Sequence, residues 1–189
     1  MSLRFVPNLL CILRMVLVYP TAHGILQGQY AAVLALVALA AFTDGLDGFL
    51  AKRFGWSTEL GKHLDPLADK LLLVTVFVCL TIAGLAPWWL TALVLLRDLV
   101  IVCGAIAYRV LYGPLHGAPT RPTKLNTFCQ IVFCLAVVSQ AAYGWPAQEL
   151  IVAAGALALV TTAVSGLDYV LTYSRRAAAV GRERRQAAG

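Results

Sequence analysis

The chain is predicted to be an all-α polytopic membrane protein, six transmembrane helices in one bundle. Three observations predict this. Of 189 residues, 60% are hydrophobic and only 13% charged, with mean hydropathy +0.80, against about 25% charged residues in soluble domains. Windows such as 30–42 and 71–86 hold no charged residue, whereas a soluble bundle needs a polar outer face on most of its helices. Lastly, Gly and Pro cut the apolar runs into pieces of the right size, since a hydrocarbon core of ~30 Å takes about 20 helical residues.

The first span is read as 7–26, opening on Pro7-Asn8, where proline suits a first helical turn, and closing at Gly24 to Gly28. The second, 29–52, is apolar until Asp44. The third, 60–84, follows Gly55 and ends at Gly84 to Pro87, and the fourth, 87–112, contains Arg97-Asp98. Residues from Gly113 to Pro122 separate it from the fifth, 123–143, which opens within the segment PTKLNTFCQ of residues 122–130. Gly144 to Pro146 then precede the sixth, 147–172, with Asp168 near its end. The membrane domain is thus expected over 1–174, with no soluble domain appended. Residues 175–189 form a basic, Ala/Gly-rich tail expected to lack fixed structure and to be drawn to anionic headgroups.

Charge placement orients the bundle. Arg4, Lys52, Arg53, Lys62, Arg109, Arg121, Lys124 and the tail arginines all fall on one side, and the opposite loops hold no Lys or Arg. By the positive-inside rule that side, with both termini, faces the cytoplasm, and Trp88, Trp89 and Trp145 lie at the other interface. Net charge +6 points to anionic lipid and phosphate, because the basic residues are not interleaved with exposed aromatics as a nucleic-acid surface requires. The cysteines Cys11, Cys79, Cys103, Cys129 and Cys134 lie in apolar stretches without metal-ligand spacing and read as small core residues. Arg14 interrupts the first apolar run before any cleavage site, so the N-terminal segment is expected to be retained.

Function is concentrated between Asp44 and Asp69. Asp44 and Asp47 are three residues apart and Asp65 and Asp69 four apart, so on helices each pair shares one face. Members of a pair are then ~4.5–6 Å apart along the axis. Two antiparallel helices could aim all four carboxylates inward, where they would repel and protonate unless cations lay between them. Two divalent ions would balance the charge. Gly48 and Gly61 beside the pairs suggest close approach of a helix or a nucleotide, since glycine otherwise costs a helix about 1 kcal/mol.

These residues closely resemble the signature of the CDP-alcohol phosphatidyltransferases. Asp44, Asp47, Gly48, Ala51, Gly61, Asp65 and Asp69 all occur at that family's spacing. One position departs from the pattern: Lys52 stands where arginine is usual, keeping a point charge but losing the planar fork. The resemblance implies a CDP-linked lipid donor, CDP-diacylglycerol, whose diphosphate bridges to Mg²⁺ or Mn²⁺. It implies metal ligation by Asp44, Asp47, Asp65 and Asp69, with Asp69 also the base for the acceptor hydroxyl. Asn8, Asp47, Gly48, Ala51, Lys52 and Gly61 would line the nucleotide pocket, and a homodimer is expected.

Arg14 and Arg97 are costly in lipid, at ~2.5–3.5 kcal/mol on insertion scales, and should face the bundle interior. There they could hold phosphate or pair with a carboxylate to fix helix register. Lys124 and Asn126, at the start of the fifth span, could cradle an acceptor phosphate, or Thr123 could simply cap the helix. The stretch from Arg97 through Arg109 to PTKLNTFCQ resembles the CMP-forming cardiolipin synthases, which use phosphatidylglycerol. The phosphatidylglycerophosphate synthases, which use glycerol 3-phosphate, share the aspartate signature and the NLL…LR opening. A glycerol-based acceptor is expected either way. Readings of another kind are a cation transporter, which would place carboxylates nearer the membrane midplane at broken helices, and a non-catalytic relative weakened at Lys52.

Overall fold

In the computed structural model, residues 6–40, 59–112 and 121–187 are described. Among them every regular element is helical: α1 Val6–Leu26, α2 30–40, α3 Glu59–Ile82, α4 Trp88–Tyr112, α5 Arg121–Tyr143 and α6 Gln148–Ala187. Within the described residues, three apolar stretches have the length and composition to cross a membrane: Trp88–Tyr108, Pro122–Tyr143 and Gln148–Ser174. Those of α1, α2 and α3 are shorter, Ile12–Leu26, Tyr30–Ala40 and Lys70–Ile82.

The expected boundaries hold within two residues at the described helix ends, except at the end of α6. That helix was expected to stop near 172 ahead of a tail without fixed structure, yet it runs to Ala187. Nine of residues 175–187 are Ala or Arg, both strong helix formers, and no proline stops the hydrogen-bond ladder. At the start of α5, Arg121 and Pro122 already belong to the helix, because proline lacks only an N–H that the first turn leaves unused. Thr123 therefore lies inside the first turn and is not its cap.

The chain divides into two compact units, one of residues 1–87 and 134–150, the other of 88–133 and 151–189. In the first, α1 packs on α3. Leu17, Ile25, Val33, Val76, Phe77 and Leu80 are among its buried side chains. The turn after α1 is tight, since a Cβ on Gly24 would approach Val33 Cγ2 at 2.7 Å. Gly28 ends that helix with φ +72°, and Gly84 ends α3 with φ +74°. In both turns the residue after the glycine reaches back five positions, Gln29 N to Gly24 O at 2.8 Å and Leu85 N to Leu80 O at 2.8 Å. Such a closure satisfies orphan carbonyls but demands a left-handed residue, which glycine adopts without penalty. Where α6 begins, Gln140 donates to Gln148 at 2.9 Å.

The second unit holds α4, the first half of α5 and nearly all of α6. Its polarity is inverted relative to a soluble domain: Leu96, Leu99, Val102, Ile106 and Val110 of α4 are exposed while Arg97 and Asp98 are buried. Water would disfavour that arrangement, whereas lipid favours it, because apolar chains lose nothing there and charges must be internal. Small residues let the helices close up: a Cβ on Gly104 would meet Tyr169 Cε1 at 2.9 Å, and one on Gly155 would meet Phe133 Cε2 at 3.2 Å. Tyr169 stacks on Tyr173, with ring centroids 4.1 Å apart, and Tyr108 meets Tyr173 edge-on at 5.7 Å. Both the composition and this distribution define an integral membrane protein.

Candidate active site

The second half of the aspartate signature falls on α3. Gly61, Asp65 and Asp69 follow at four-residue steps on one unbroken helix beginning at Glu59. Each step rises about 6 Å and rotates by only about 40°, so the three positions share one stripe. Pro66 stands between the two aspartates without interrupting the helix. It removes one backbone donor and so leaves the Lys62 carbonyl without its helix bond. Asp44, Asp47, Gly48, Ala51 and Lys52 lie outside the described residues. Asn8 is the third residue of α1, in its first turn after Pro7. Among the described residues no three His, Cys, Asp or Glu side chains converge.

A second polar assembly is built within the α4–α5–α6 unit, and half of it, Gln130, Thr161, Thr162 and Ser165, was not singled out by the sequence reading. Arg97 is 5% exposed and donates through Nη1 to Asp98 Oδ1 at 2.9 Å and through Nη2 to Ser165 Oγ. Its positive charge is thus matched by a buried carboxylate of its own helix; it is the bond to Ser165, not this pair, that reaches another helix. Ser165 Oγ lies 3.4 Å from Thr123 Oγ1, one turn before Asn126 on α5. Asn126 is fully buried and its side-chain amide meets the Thr162 hydroxyl at 2.8 Å and the Thr161 hydroxyl at 3.1 Å, the Thr161 hydrogen having its shorter bond, 2.8 Å, to Leu157 O of its own helix. Gln130, a further turn along, donates to Thr162 at 3.1 Å.

The result is a ladder of hydrogen bonds from α4 to α6 to α5, with rungs at Thr123, Asn126 and Gln130. The signal for it was present in the sequence as a polar stripe at i, i+3 and i+7 in an otherwise apolar helix, matched by Thr161, Thr162 and Ser165 on α6. Of the other positions considered for phosphate, Arg14 is buried in α1 at 1% exposure, and Lys124 is exposed in the first turn of α5. Asp168 Oδ2 is buried and has no hydrogen-bond partner among the described residues.

Comparison with known proteins agrees with the aspartate signature. The family model described as CDP-alcohol phosphatidyltransferase matches residues 4–167. The chain belongs to that family. Over 182 residues it is 30% identical to the CMP-forming cardiolipin synthase of Rattus norvegicus, covering 87% of this chain and 60% of the rat protein. Over 172 residues it is 34% identical to a probable phosphatidylglycerophosphate synthase of Mycobacterium tuberculosis, covering 86% of this chain and 78% of that protein. A chloroplastic CDP-diacylglycerol–glycerol-3-phosphate 3-phosphatidyltransferase of Oryza sativa subsp. japonica is 31% identical over 185 residues, 88% of this chain and 56% of its own length.

Proposed function

We propose that this protein transfers a phosphatidyl group from CDP-diacylglycerol to a hydroxyl of a glycerol-based acceptor, releasing CMP. The observation that carries the reading is the complete spacing of Asp44, Asp47, Gly48, Ala51, Gly61, Asp65 and Asp69 in a chain of this family, with the last two aspartates one turn apart on α3.

Carboxylate oxygens on one helical stripe suit a hard divalent cation such as Mg²⁺ or Mn²⁺. Asp44, Asp47, Asp65 and Asp69 would hold two such ions, which when bound neutralise diphosphate charge and stabilise the departing CMP. The rest of the work falls to the chain. Gly48, Gly61 and Ala51 leave room for the nucleotide, Asn8 and Lys52 contact it, and Lys52 supplies a positive charge to its phosphates. Asp69 takes the proton of the acceptor hydroxyl as its oxygen bonds to the β-phosphorus, the phosphatidyl phosphorus of the donor, and the bond to CMP breaks. An unperturbed aspartate, with pKa about 3.9, is a weak base, so Asp69 acts through its position beside the hydroxyl. The site faces the cytoplasm, on the side of the basic loops, in a bacterial inner membrane, and the working unit is a homodimer among membrane lipids.

Phosphatidylglycerol is the favoured acceptor, on the similarity of the Arg97–Gln130 region to cardiolipin synthases. Glycerol 3-phosphate is the second reading, favoured by the greater share of the mycobacterial relative that is matched. Purified protein with radiolabelled CDP-diacylglycerol and Mg²⁺ or Mn²⁺, offered the two acceptors separately, tests both. Cardiolipin is the expected product; phosphatidylglycerophosphate alone would replace the first reading by the second. Absence of CMP release with either acceptor would overturn the proposal.

A further inference from the structure

Within their own unit, α4 and α6 run parallel and stay level towards the ends read as cytoplasmic. Tyr108 meets Tyr173 edge-on at 5.7 Å, and one turn earlier on each helix a Cβ on Gly104 would lie 2.9 Å from Tyr169 Cε1. Both contacts carry the same sequence offset, so the two helices advance together here, by about 1.5 Å per residue. The apolar run of α4 ends at Tyr108 and that of α6 at Ser174. The ring contact therefore marks the edge of the hydrocarbon, where tyrosines meet lipid headgroups.

Rotation about each axis decides which arginine positions belong to this place. Tyr108 and Tyr173 face one another across the interface. Position 109 is turned about 100° forward from Tyr108, and position 176, three residues past Tyr173, comes out about 60° back from it. Since the two tyrosines point in opposite directions, a forward turn on one helix and a backward turn on the other lead to the same side of the interface. Arg109 and Arg176 thus stand on one side of the α4–α6 contact, about 3 Å apart along the axis. Position 175, turned about 200° from Tyr173, stands on the side of α6 away from α4. Positions 182, 184 and 185 lie about 9–14 Å further along.

Chemistry names the partner. Two arginine positions beside one groove between membrane helices, at headgroup depth, match a phosphodiester, whose oxygens accept paired N–H donors. Within one turn of either position its own helix carries no acidic residue, so no neighbouring carboxylate is at hand as Asp98 is for Arg97. The tyrosine rings just below the groove offer a wall to a glycerol backbone and its first methylenes. Free phosphate would gain the cations but not the wall, which favours a lipid headgroup.

We propose that Arg109 and Arg176 clamp the phosphate of an anionic phospholipid, seated on Tyr108 and Tyr173 at the cytoplasmic edge of the α4–α6 pair. This lipid is a bound companion of the fold and not a substrate, so the proposal goes beyond the phosphatidyltransferase reading and does not depend on it.

The test uses full-length protein in detergent micelles, titrated with phosphatidylserine, an anionic lipid that is neither donor nor acceptor in the proposed reaction. Phosphatidylcholine is the uncharged control, and inorganic phosphate replaces lipid in a third arm. Bound lipid is counted by native mass spectrometry and thermal midpoints are recorded. Phosphatidylserine is expected to bind and raise the midpoint where phosphatidylcholine does not. Arg109→Gln and Arg176→Gln should each weaken that binding about fivefold, and Arg176→Lys by less. Arg175→Gln removes the same charge one position away and should leave binding within about twofold. Equal losses in Arg175→Gln and Arg176→Gln would overturn the proposal, reducing the effect to diffuse charge, and so would full binding by the double variant Arg109→Gln/Arg176→Gln. Inorganic phosphate raising the midpoint as far as the lipid does, with the same variants affected, would replace the lipid by a soluble anion. If Arg176→Gln fails to fold, Arg109→Gln carries the same comparison against Arg175→Gln.

Discussion

Arg97 on α4 and Ser165 on α6 meet in the bundle interior across 68 positions of sequence. The arginine stem packs on α6 there, for a Cβ on Gly166 would lie in ordinary contact with Arg97 Cγ, at 3.4 Å. One guanidinium thereby ties two helices together and, through Ser165 and Thr123, reaches a third. In lipid the alternative for these groups is hydrocarbon, so the contact fixes helix register as well as contributing energy.

Replacing Arg97 by Leu is expected to destabilise the protein by about 3–5 kcal/mol, since it breaks a buried ion pair by removing one of its members. The double variant Arg97→Leu/Asp98→Leu should recover much of that loss. Thermal unfolding in one detergent checks the order: a double variant no more stable than the single would show that the pair does not act as a unit.

Gly104→Ala should lower stability by about 1–3 kcal/mol through overpacking, because its Cβ would come within 2.9 Å of the Tyr169 ring. Trimming the ring with Tyr169→Leu in the same chain should restore the midpoint. Failure of that rescue would place the strain elsewhere.

At the turn that ends α3, Gly84→Ala forces a side chain into a left-handed conformation at φ +74°. The expected cost is about 1–2 kcal/mol, and Gly84→Asn should cost less, since asparagine tolerates that region. Equal midpoints for the two variants would contradict the assignment of the strain to backbone geometry.

For the proposed chemistry, Asp69→Asn should reduce turnover by about 10²–10⁴-fold, the usual worth of a general base. The Asp44→Asn and Asp65→Asn variants should shift the Mg²⁺ or Mn²⁺ concentration needed for half-maximal CMP release to higher values. Wild-type turnover in Asp69→Asn, or an unaltered metal titration in Asp44→Asn, would remove those residues from their roles.

The helical architecture was legible because glycine and proline punctuate runs of near-bilayer length. Pro87 before Trp88, and the left-handed glycines Gly28 and Gly84, mark real helix ends. What was misjudged was local propensity at the sixth helix, where the Ala- and Arg-rich stretch after Tyr173 was given the conformation of a flexible tail. The helical placement of two of the expected site residues was also legible: positions 65 and 69 fall on one stripe of α3 as their spacing required, while Asp44, Asp47 and Lys52 fall outside the described residues. The ladder was only half visible. Arg97, Asp98 and Asn126 stood out as polar residues in apolar spans, but Thr162 and Ser165 are small hydroxyls that a helix can satisfy on its own carbonyls, as Thr161 does on Leu157 O, and sequence spacing does not reveal which of them turn to a neighbour instead.

The unbroken 40 residues of α6 extend about 60 Å at 1.5 Å per residue, about twice the ~30 Å of hydrocarbon they must cross. Because no turn or proline interrupts it, the azimuth at which Ser165 is held on α6 also sets, by helical geometry alone, the faces on which positions 182, 184 and 185 stand, about 25–30 Å further along the axis.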